Sequence, residues 1–235
     1  METKAALKFI LFRTIGNFLL LFAIFGVIAT FGPALFYEAQ YQVIKARGVT
    51  FTVANNSSNQ LAGGGQSATF GDLLAGSKEQ EIAPPDTEFS IVIPKIGASA
   101  KIFPNVDPSD ENQFLPILKQ GVAHAKGSVF PGGRGNIFLF AHSTDNFWDA
   151  AQYNAVFYLL KDLSDGDLIV IFYQGKRYDY YVTGQKKVDP SDVSFITNAE
   201  TGSEQLILQT CWPPGTTLQR LLVFARPRKS NTIFK

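Results

Sequence analysis

Leu206-Ile207-Leu208-Gln209-Thr210-Cys211, then Trp212-Pro213-Pro214-Gly215, then Thr217-Leu218-Gln219-Arg220-Leu221-Leu222-Val223-Phe224 is the stretch on which the fold turns. Two short aliphatic runs joined by a Pro/Gly turn read as two strands rather than one helix. A strand that ends at a cysteine and meets such a turn presents its thiol at the rim of a sheet. In the second run, alternation puts Leu218, Arg220, Leu222 and Phe224 on one face. A guanidinium aligned with three large apolar side chains is costly unless it is paired or has a task.

The same grammar extends upstream. Further strands are expected at Phe89–Ile93, Ala100–Phe103, Asn136–Ala141, Asp167–Tyr173 and Arg177–Val188, beside Gln205–Thr210 and Leu218–Ala225 from the opening stretch. Asp107-Pro108, Pro131-Gly132-Gly133, Ser164-Asp165-Gly166-Asp167 and Asp189-Pro190 are turn signals between them, and Tyr173-Gln174-Gly175-Lys176-Arg177-Tyr178 reads as a hairpin. Asp149 to Leu160 carries Ala150, Tyr153, Val156, Phe157 and Leu160 at helical spacing. About seven or eight short strands with few helices fit a closed barrel or a sandwich. His142 closes the strand Asn136–Ala141 as Cys211 closes its own. A histidine or cysteine at a strand end is, taken singly, as compatible with packing as with chemistry.

The N-terminal part is of another kind. From Thr14 to Tyr37 there is no charged residue, and as a helix this run spans roughly 36 Å against a hydrocarbon core of roughly 30 Å. It reads as an uncleaved membrane anchor. The rival, a cleaved signal peptide, usually has an apolar core of only about 7–15 residues, and Tyr37-Glu38-Ala39 is a poor cleavage site. Lys4, Lys8 and Arg13 before the run, against Lys45 and Arg47 after it, favour a cytoplasmic N-terminus with the remainder outside the cytoplasm. The expected organisation is 1–13 as a short cytoplasmic segment, 14–37 as the anchor, 38–88 as stalk and 89–235 as a globular head. Asn55-Asn56-Ser57-Ser58-Asn59-Gln60 and Gly63-Gly64-Gly65 in the stalk have the composition of a flexible tether.

Composition narrows the chemistry. Apolar residues make up 46% of the 235 positions and charged ones 17%, which excludes a disordered or coiled-coil chain. A net charge of +1 gives no reason to expect a nucleic-acid partner. One cysteine and two histidines, His124 and His142, rule out an intrachain disulfide and a multi-cysteine zinc site, and no cofactor or metal is expected.

Leu208-Gln209-Thr210-Cys211, the Trp-Pro-Pro-Gly turn and Arg220 before Leu221-Leu222-Val223 resemble the Leu-x-Thr-Cys…Arg signature of sortases. Gly135-Asn136-Ile137-Phe138-Leu139-Phe140-Ala141-His142 is similar to the family's histidine strand, with Ala141 where glycine is usual. Ile93-Pro94-Lys95-Ile96-Gly97 and Gly121-Val122-Ala123-His124 resemble its first strand and turn and the segment before the histidine strand. The likeness runs in family order from about Phe89 to Arg226. The short Cys-to-Arg gap is closer to classes C, D and E than to A and B.

The resemblance implies a mostly β fold, a closed eight-stranded barrel with short helices, and a cysteine transpeptidase. Cys211 is then the nucleophile, His142 the acid/base and Arg220 the stabilising cation. His124 is the other histidine, but the family's pattern selects His142. The implied partners are secreted proteins with a C-terminal Leu-Pro-x-Thr-Gly-like sorting signal and an amine acceptor, a cell-wall precursor or a pilin lysine. Asp145 could orient the imidazole, but carboxylates near a histidine are often only solvated loop residues; Asp86 could be part of a lid, but the lid's Asp-Pro-Trp or Asp-Pro-Phe is absent. A same-fold peptidase that uses water, and a non-catalytic tethered barrel that binds peptide or wall polymer, stay open as alternatives.

Elementary chemistry agrees with the three roles. A thiolate attacks a carbonyl, an imidazolium gives a proton to the departing amine, and a fixed cation or donor holds the oxyanion. With ordinary pKa values of about 8.5 and 6.5, roughly 3% thiolate and 24% imidazolium exist at pH 7.

Overall fold

Ile91 and Ile93 alternate with Val92 along a strand that is buried on both faces, so the run Phe89–Ile93 reads as uniformly apolar. In a computed structural model describing residues 2–54, 79–143, 156–197, 202–214 and 216–228, this strand is one stave of a closed barrel. The helix α1 (Glu2–Arg47) and the short strands β1 (Thr50–Val53) and β2 (Glu79–Ile82) precede it. The staves are β3 (Phe89–Ile93), β4 (Ala98–Val106), β5 (Val122–Ala125), β6 (Asn136–Phe140), β7 (Leu168–Tyr173), β8 (Lys176–Val188), β9 (Gln205–Trp212) and β10 (Gln219–Pro227). Their order around the barrel is β10-β8-β7-β3-β4-β5-β6-β9, closed by β9 against β10. The pairs β4/β5 and β6/β9 are parallel and the others antiparallel. The sequence left barrel and sandwich open; the barrel is the outcome, as the family likeness implied.

Strand alternation sorts the side chains into two shells. Ile91, Ile137, Leu139, Ile171, Leu206, Leu208, Leu221 and Val223 fill the interior. On the outer face of β6, β9 and β10, Phe138, Phe140, Ile207 and Leu222 pack beneath α2 (Glu111–Leu118) and α3 (Ser194–Thr197), which bring in Phe114, Ile117, Phe195 and Ile196. Val92, Val170 and Phe172, on the outside of β3 and β7, are covered by Val53 of β1 and Ile82 of β2.

Several elements differ from the expected ones. The helical interval at 149–160 falls partly on residues 149–155, outside the described residues; its remainder leads into a 3₁₀ turn at Tyr158–Asp162. The strand β4 is longer than expected, because it continues to pair with β5 through Val106↔Ala125. The stretch around His124 reads as a loop, yet β5 is held by β4 on one side and β6 on the other. Gly121 permits that approach, since a Cβ there would collide with the carbonyl oxygen of Lys101. The helix α2 has a local cause in Asp110, whose Oδ1 accepts from the Asn112 N–H at 3.1 Å as an N-cap. The β7–β8 hairpin is as expected: Tyr173 pairs with Lys176, and Gln174 and Gly175 both take positive φ, as a two-residue turn of type I′ demands.

The helix α1 is continuous over 46 residues, and its segment Ala6–Ala29 is long and apolar enough to cross a membrane. That segment overlaps the uncharged run from Thr14 to Tyr37 but lies closer to the N-terminus. Within the expected stalk, Tyr41, β1 and β2 are packed on the barrel.

Candidate active site

Three elements of separate sequence origin meet at one end of the barrel. The strands β6 and β9 run parallel, with Phe140 beside Gln209. The pairing continues past the end of β6, where the Ala141 N–H donates to the Gln209 carbonyl at 3.2 Å. Thr210 Oγ1 donates to the Ala141 carbonyl at 3.2 Å and ties the two strand ends together. The next residue on each strand is His142 and Cys211. On the far side of β9, Arg220 stands directly opposite Cys211 in the antiparallel ladder with β10.

Cys211 and Arg220 also share a face. Leu206, Leu208, Leu221 and Val223 point into the interior, so Cys211 on β9 and Arg220 on β10 alternate to the outside, while His142 follows Ala141, itself in the interior cluster, just past the end of β6. On the outside Cys211 and Arg220 continue the rows of Ile207 and Leu222. Of the sequence-derived row, Arg220, Leu222 and Phe224 share a face of β10, whereas Leu218 lies before the strand and is 71% exposed. Adjacent strands lie about 4.8 Å apart, so Cys211 and Arg220 are cross-strand neighbours, and His142 follows the end of the strand that pairs with β9 on its other side.

Electrostatics at the thiol pull in two directions. Burial pushes the Cys211 thiol above its ordinary range, and the Arg220 guanidinium draws it partly back. Arg220 Nη1 donates to the carbonyls of Thr217 at 3.2 Å and Gln219 at 3.3 Å, which fixes the guanidinium at the start of β10. The turn after Cys211 is also pinned. Lys187 Nζ sits 4.2 Å from the Trp212 ring centroid, and Thr216 Oγ1 donates to the Pro213 carbonyl at 2.8 Å. Sequence reasoning did not single out Thr210 or Lys187 as supports. Thr210 lay in plain view in the Thr-Cys pair, whereas Lys187 carried no local signal.

His124 lies elsewhere. It shares the interior side of β5 with Val122 and is 0% exposed. Its Nδ1 accepts from the Asn105 N–H at 3.4 Å, so the ring is placed as the tautomer whose Nε2–H donates to the Val129 carbonyl at 3.0 Å. It stacks on Phe130 at 4.4 Å. Burial holds its pKa below the ordinary value of 6.5. The unfolded chain then binds the extra proton and the folded one resists it. His124 therefore contributes stability above about pH 6.5 that is lost as pH falls below it, at up to about 1.4 kcal/mol per pH unit. Urea denaturation between pH 5 and 7 is expected to give His124→Gln a flatter pH dependence than the unchanged chain.

Asp145 lies outside the described residues. Asp86 does not cover the site. Its Oδ1 accepts from the Phe89 N–H at 2.9 Å and from Ser90 Oγ at 3.0 Å, and Oδ2 pairs with Lys101 at 3.2 Å. Burial pushes its carboxyl up, but these bonds outweigh it and hold the pKa below the ordinary range. They fix it at the start of β3, the opposite end of the barrel from Cys211.

A closed eight-stranded barrel with a cysteine at the end of one strand and an arginine directly opposite it on the next defines a class of thiol-bearing β-barrel. Residues 91–228, more than half of the chain, match the family model described as the Sortase domain, and the chain belongs to the sortase family. It is 30% identical over 137 residues to Sortase D of Bacillus subtilis (strain 168), which covers 57% of this chain and 60% of that protein. The match thus spans less than two thirds of the relative's length. Among solved structures, sortase C-1 from Actinomyces oris is similar with a TM-score of 0.50 and 27% identity, covering 59% of this chain and 72% of that one. Sortase C from Clostridium perfringens SM101 is similar at 26% identity with a TM-score of 0.46, covering 59% and 67%. Sortase D and sortase C-1 agree with the class that the Cys-to-Arg spacing resembled.

Proposed function

We propose that the chain is a membrane-anchored cysteine transpeptidase that cleaves a Leu-Pro-x-Thr-Gly-like sorting signal and passes the acyl group to an amine, either a cell-wall precursor or a pilin lysine. The observation that carries this reading is that the paired ends of β6 and β9 and the start of β10 bring the backbone positions of His142, Cys211 and Arg220 to one rim, with Arg220 directly opposite Cys211. The Cys211 thiolate bonds to the threonyl carbonyl carbon while the Arg220 guanidinium faces the developing oxyanion. The C–N bond then breaks, and the imidazolium of His142 gives its proton to the departing glycyl amine, leaving a thioester. The acceptor amine attacks that thioester, its proton returns to His142, and the thiolate leaves.

Anchoring is supported by the helix itself. Leu7, Phe12 and Phe22 in the segment Ala6–Ala29 are 63–71% exposed, and a continuous apolar surface of this kind requires a nonaqueous neighbour. With Lys4, Lys8 and Arg13 on the cytoplasmic side, the barrel lies outside the cytoplasm.

The test mixes the full chain in detergent micelles with a peptide containing Leu-Pro-x-Thr-Gly, with and without triglycine or a lysine-bearing peptide, and reads intact masses. The expected result is a thioacyl adduct on the protein and a peptide–amine product. Cleavage that yields only the free acid would make the chain a peptidase. Binding of the peptide with no adduct would make it a binding module.

A further inference from the structure

The far end of α1 is bound to the barrel, and it is bound at the end that carries Cys211. Glu38 Oε2 accepts from Lys161 Nζ at 2.9 Å, and the same nitrogen donates to Asp162 Oδ2 at 2.7 Å. Three residues on, Tyr41 is only 7% exposed and belongs to the same cluster as Ile96, Leu160 and the barrel interior. The Glu38–Lys161 pair is itself partly shielded, with side chains 33% and 21% exposed, so it is less screened than a surface pair.

The ladders establish which end this is. Val188 of β8 pairs with Arg220, and Arg220 with Cys211. Gln185, just before Val188 on the same strand, donates to the carbonyls of Leu160 at 3.2 Å and Leu163 at 2.6 Å. The Tyr158–Asp162 turn therefore plugs the barrel at the catalytic end, and α1 docks on that plug. Roughly 14 Å of unbroken helix separates Ala29, the end of the apolar segment, from Glu38.

We propose that α1 is a strut: docked through Glu38 and Tyr41 on the Tyr158–Asp162 turn, it holds the catalytic end of the barrel at a short, set distance from the bilayer, so that acyl donors held at the membrane are taken in preference to the same donors in solution. The proposal rests on reading α1 as the anchor and the Cys211 rim as catalytic. It replaces the picture of a head on a loose tether, because the contact precedes the tether-like composition in the chain. Rigid placement raises the effective concentration of anything fixed in the same membrane.

The experiment uses the full chain in nanodiscs, in the unchanged form and as Glu38→Lys, Lys161→Glu and the double charge swap. Cys211 is the only cysteine, so a thiol-reactive donor dye reports the height of the catalytic end above acceptor-labelled headgroups. Amide exchange is read over 38–47 and 157–163. Each single reversal is expected to lower energy transfer at least twofold and to speed exchange about tenfold in both segments, and the double swap to recover at least half of each change. In unlabelled protein, the ratio of transfer from a lipid-tethered sorting peptide to transfer from the soluble peptide is expected to fall about tenfold in the single variants, with the soluble rate unchanged. Energy transfer and exchange that ignore the single reversals, or that the double swap fails to restore, would overturn the strut. If the soluble peptide is never processed, the transpeptidase reading fails while the height and exchange measurements still decide the docking. If the chain does not enter nanodiscs, the anchor reading fails, and protection of 38–47 in micelles decides the contact alone.

Discussion

Cys211→Ala is expected to remove the thioacyl adduct completely, while His142→Ala leaves the thiol available to iodoacetamide but slows adduct formation by about 10²–10⁴-fold. Complete loss is expected because the chain has no second sulfur nucleophile; Cys211 is its single cysteine. The slowing is expected because the β6–β9 ladder brings the chain to Ala141 beside Gln209 and Thr210, one residue before His142 and Cys211. A positioned acid/base typically contributes this range, and without it the amine must leave unprotonated. His124→Gln is the internal control. Its imidazole is buried on the interior side of β5 and bonded to Asn105 and Val129, so adduct formation per folded molecule is expected to stay within about twofold. Time-resolved intact-mass spectra of the three variants decide the matter. Loss of adduct in His124→Gln with normal rates in His142→Ala would reverse the assignment of the two histidines.

Much of the barrel is written locally. The strands β3, β7 and β9 announce themselves because each is a short aliphatic run between turn residues, and burial on both faces makes the run continuous. By contrast β5 does not, because Val122-Ala123-His124-Ala125 is short and two of its residues are alanines packed against Leu118 and Phe138 in the outer cluster. Its strand character comes from its two neighbours. The pairing of β1 with β2 is likewise nonlocal, joining Thr50–Val53 to Glu79–Ile82 across a long intervening segment. For the site, each of Cys211, His142 and Arg220 was ambiguous alone. What joins them is a strand order, β6-β9-β10, with a parallel ladder inside it, and no local spacing encodes that order. Family likeness grouped the three residues without giving that order. Nor does local sequence mark Glu38 and Tyr41 as contacts, since a charged residue and a tyrosine after an apolar helix are ordinary interfacial residues.

Arg220→Ala is expected to lower kcat/KM by about 10²–10³-fold and to move the alkylation midpoint of Cys211 upward. Two separable physical effects are involved. Burial raises the thiol pKa and the guanidinium opposes it, so removing the cation lets the thiol pKa rise further. Each unit of further rise cuts the thiolate population at pH 7 about tenfold. If the reactive form is thiolate with imidazolium, activity follows the product of the two fractions and peaks midway between the two pKa values. The optimum then shifts to higher pH by half of the thiol's own shift, and its height falls. The second effect is geometric. Arg220 is held to the Thr217 and Gln219 carbonyls through Nη1, and a guanidinium has further N–H donors with which to meet an oxyanion. Arg220→Lys separates the two, because an ammonium keeps the charge but not the planar fork. It is expected to hold the alkylation midpoint near that of the unchanged chain and still lose at least about tenfold in acylation. An alkylation midpoint and an acylation rate both indifferent to Arg220→Ala would remove this residue from the site and leave a thiol–imidazole pair to act alone.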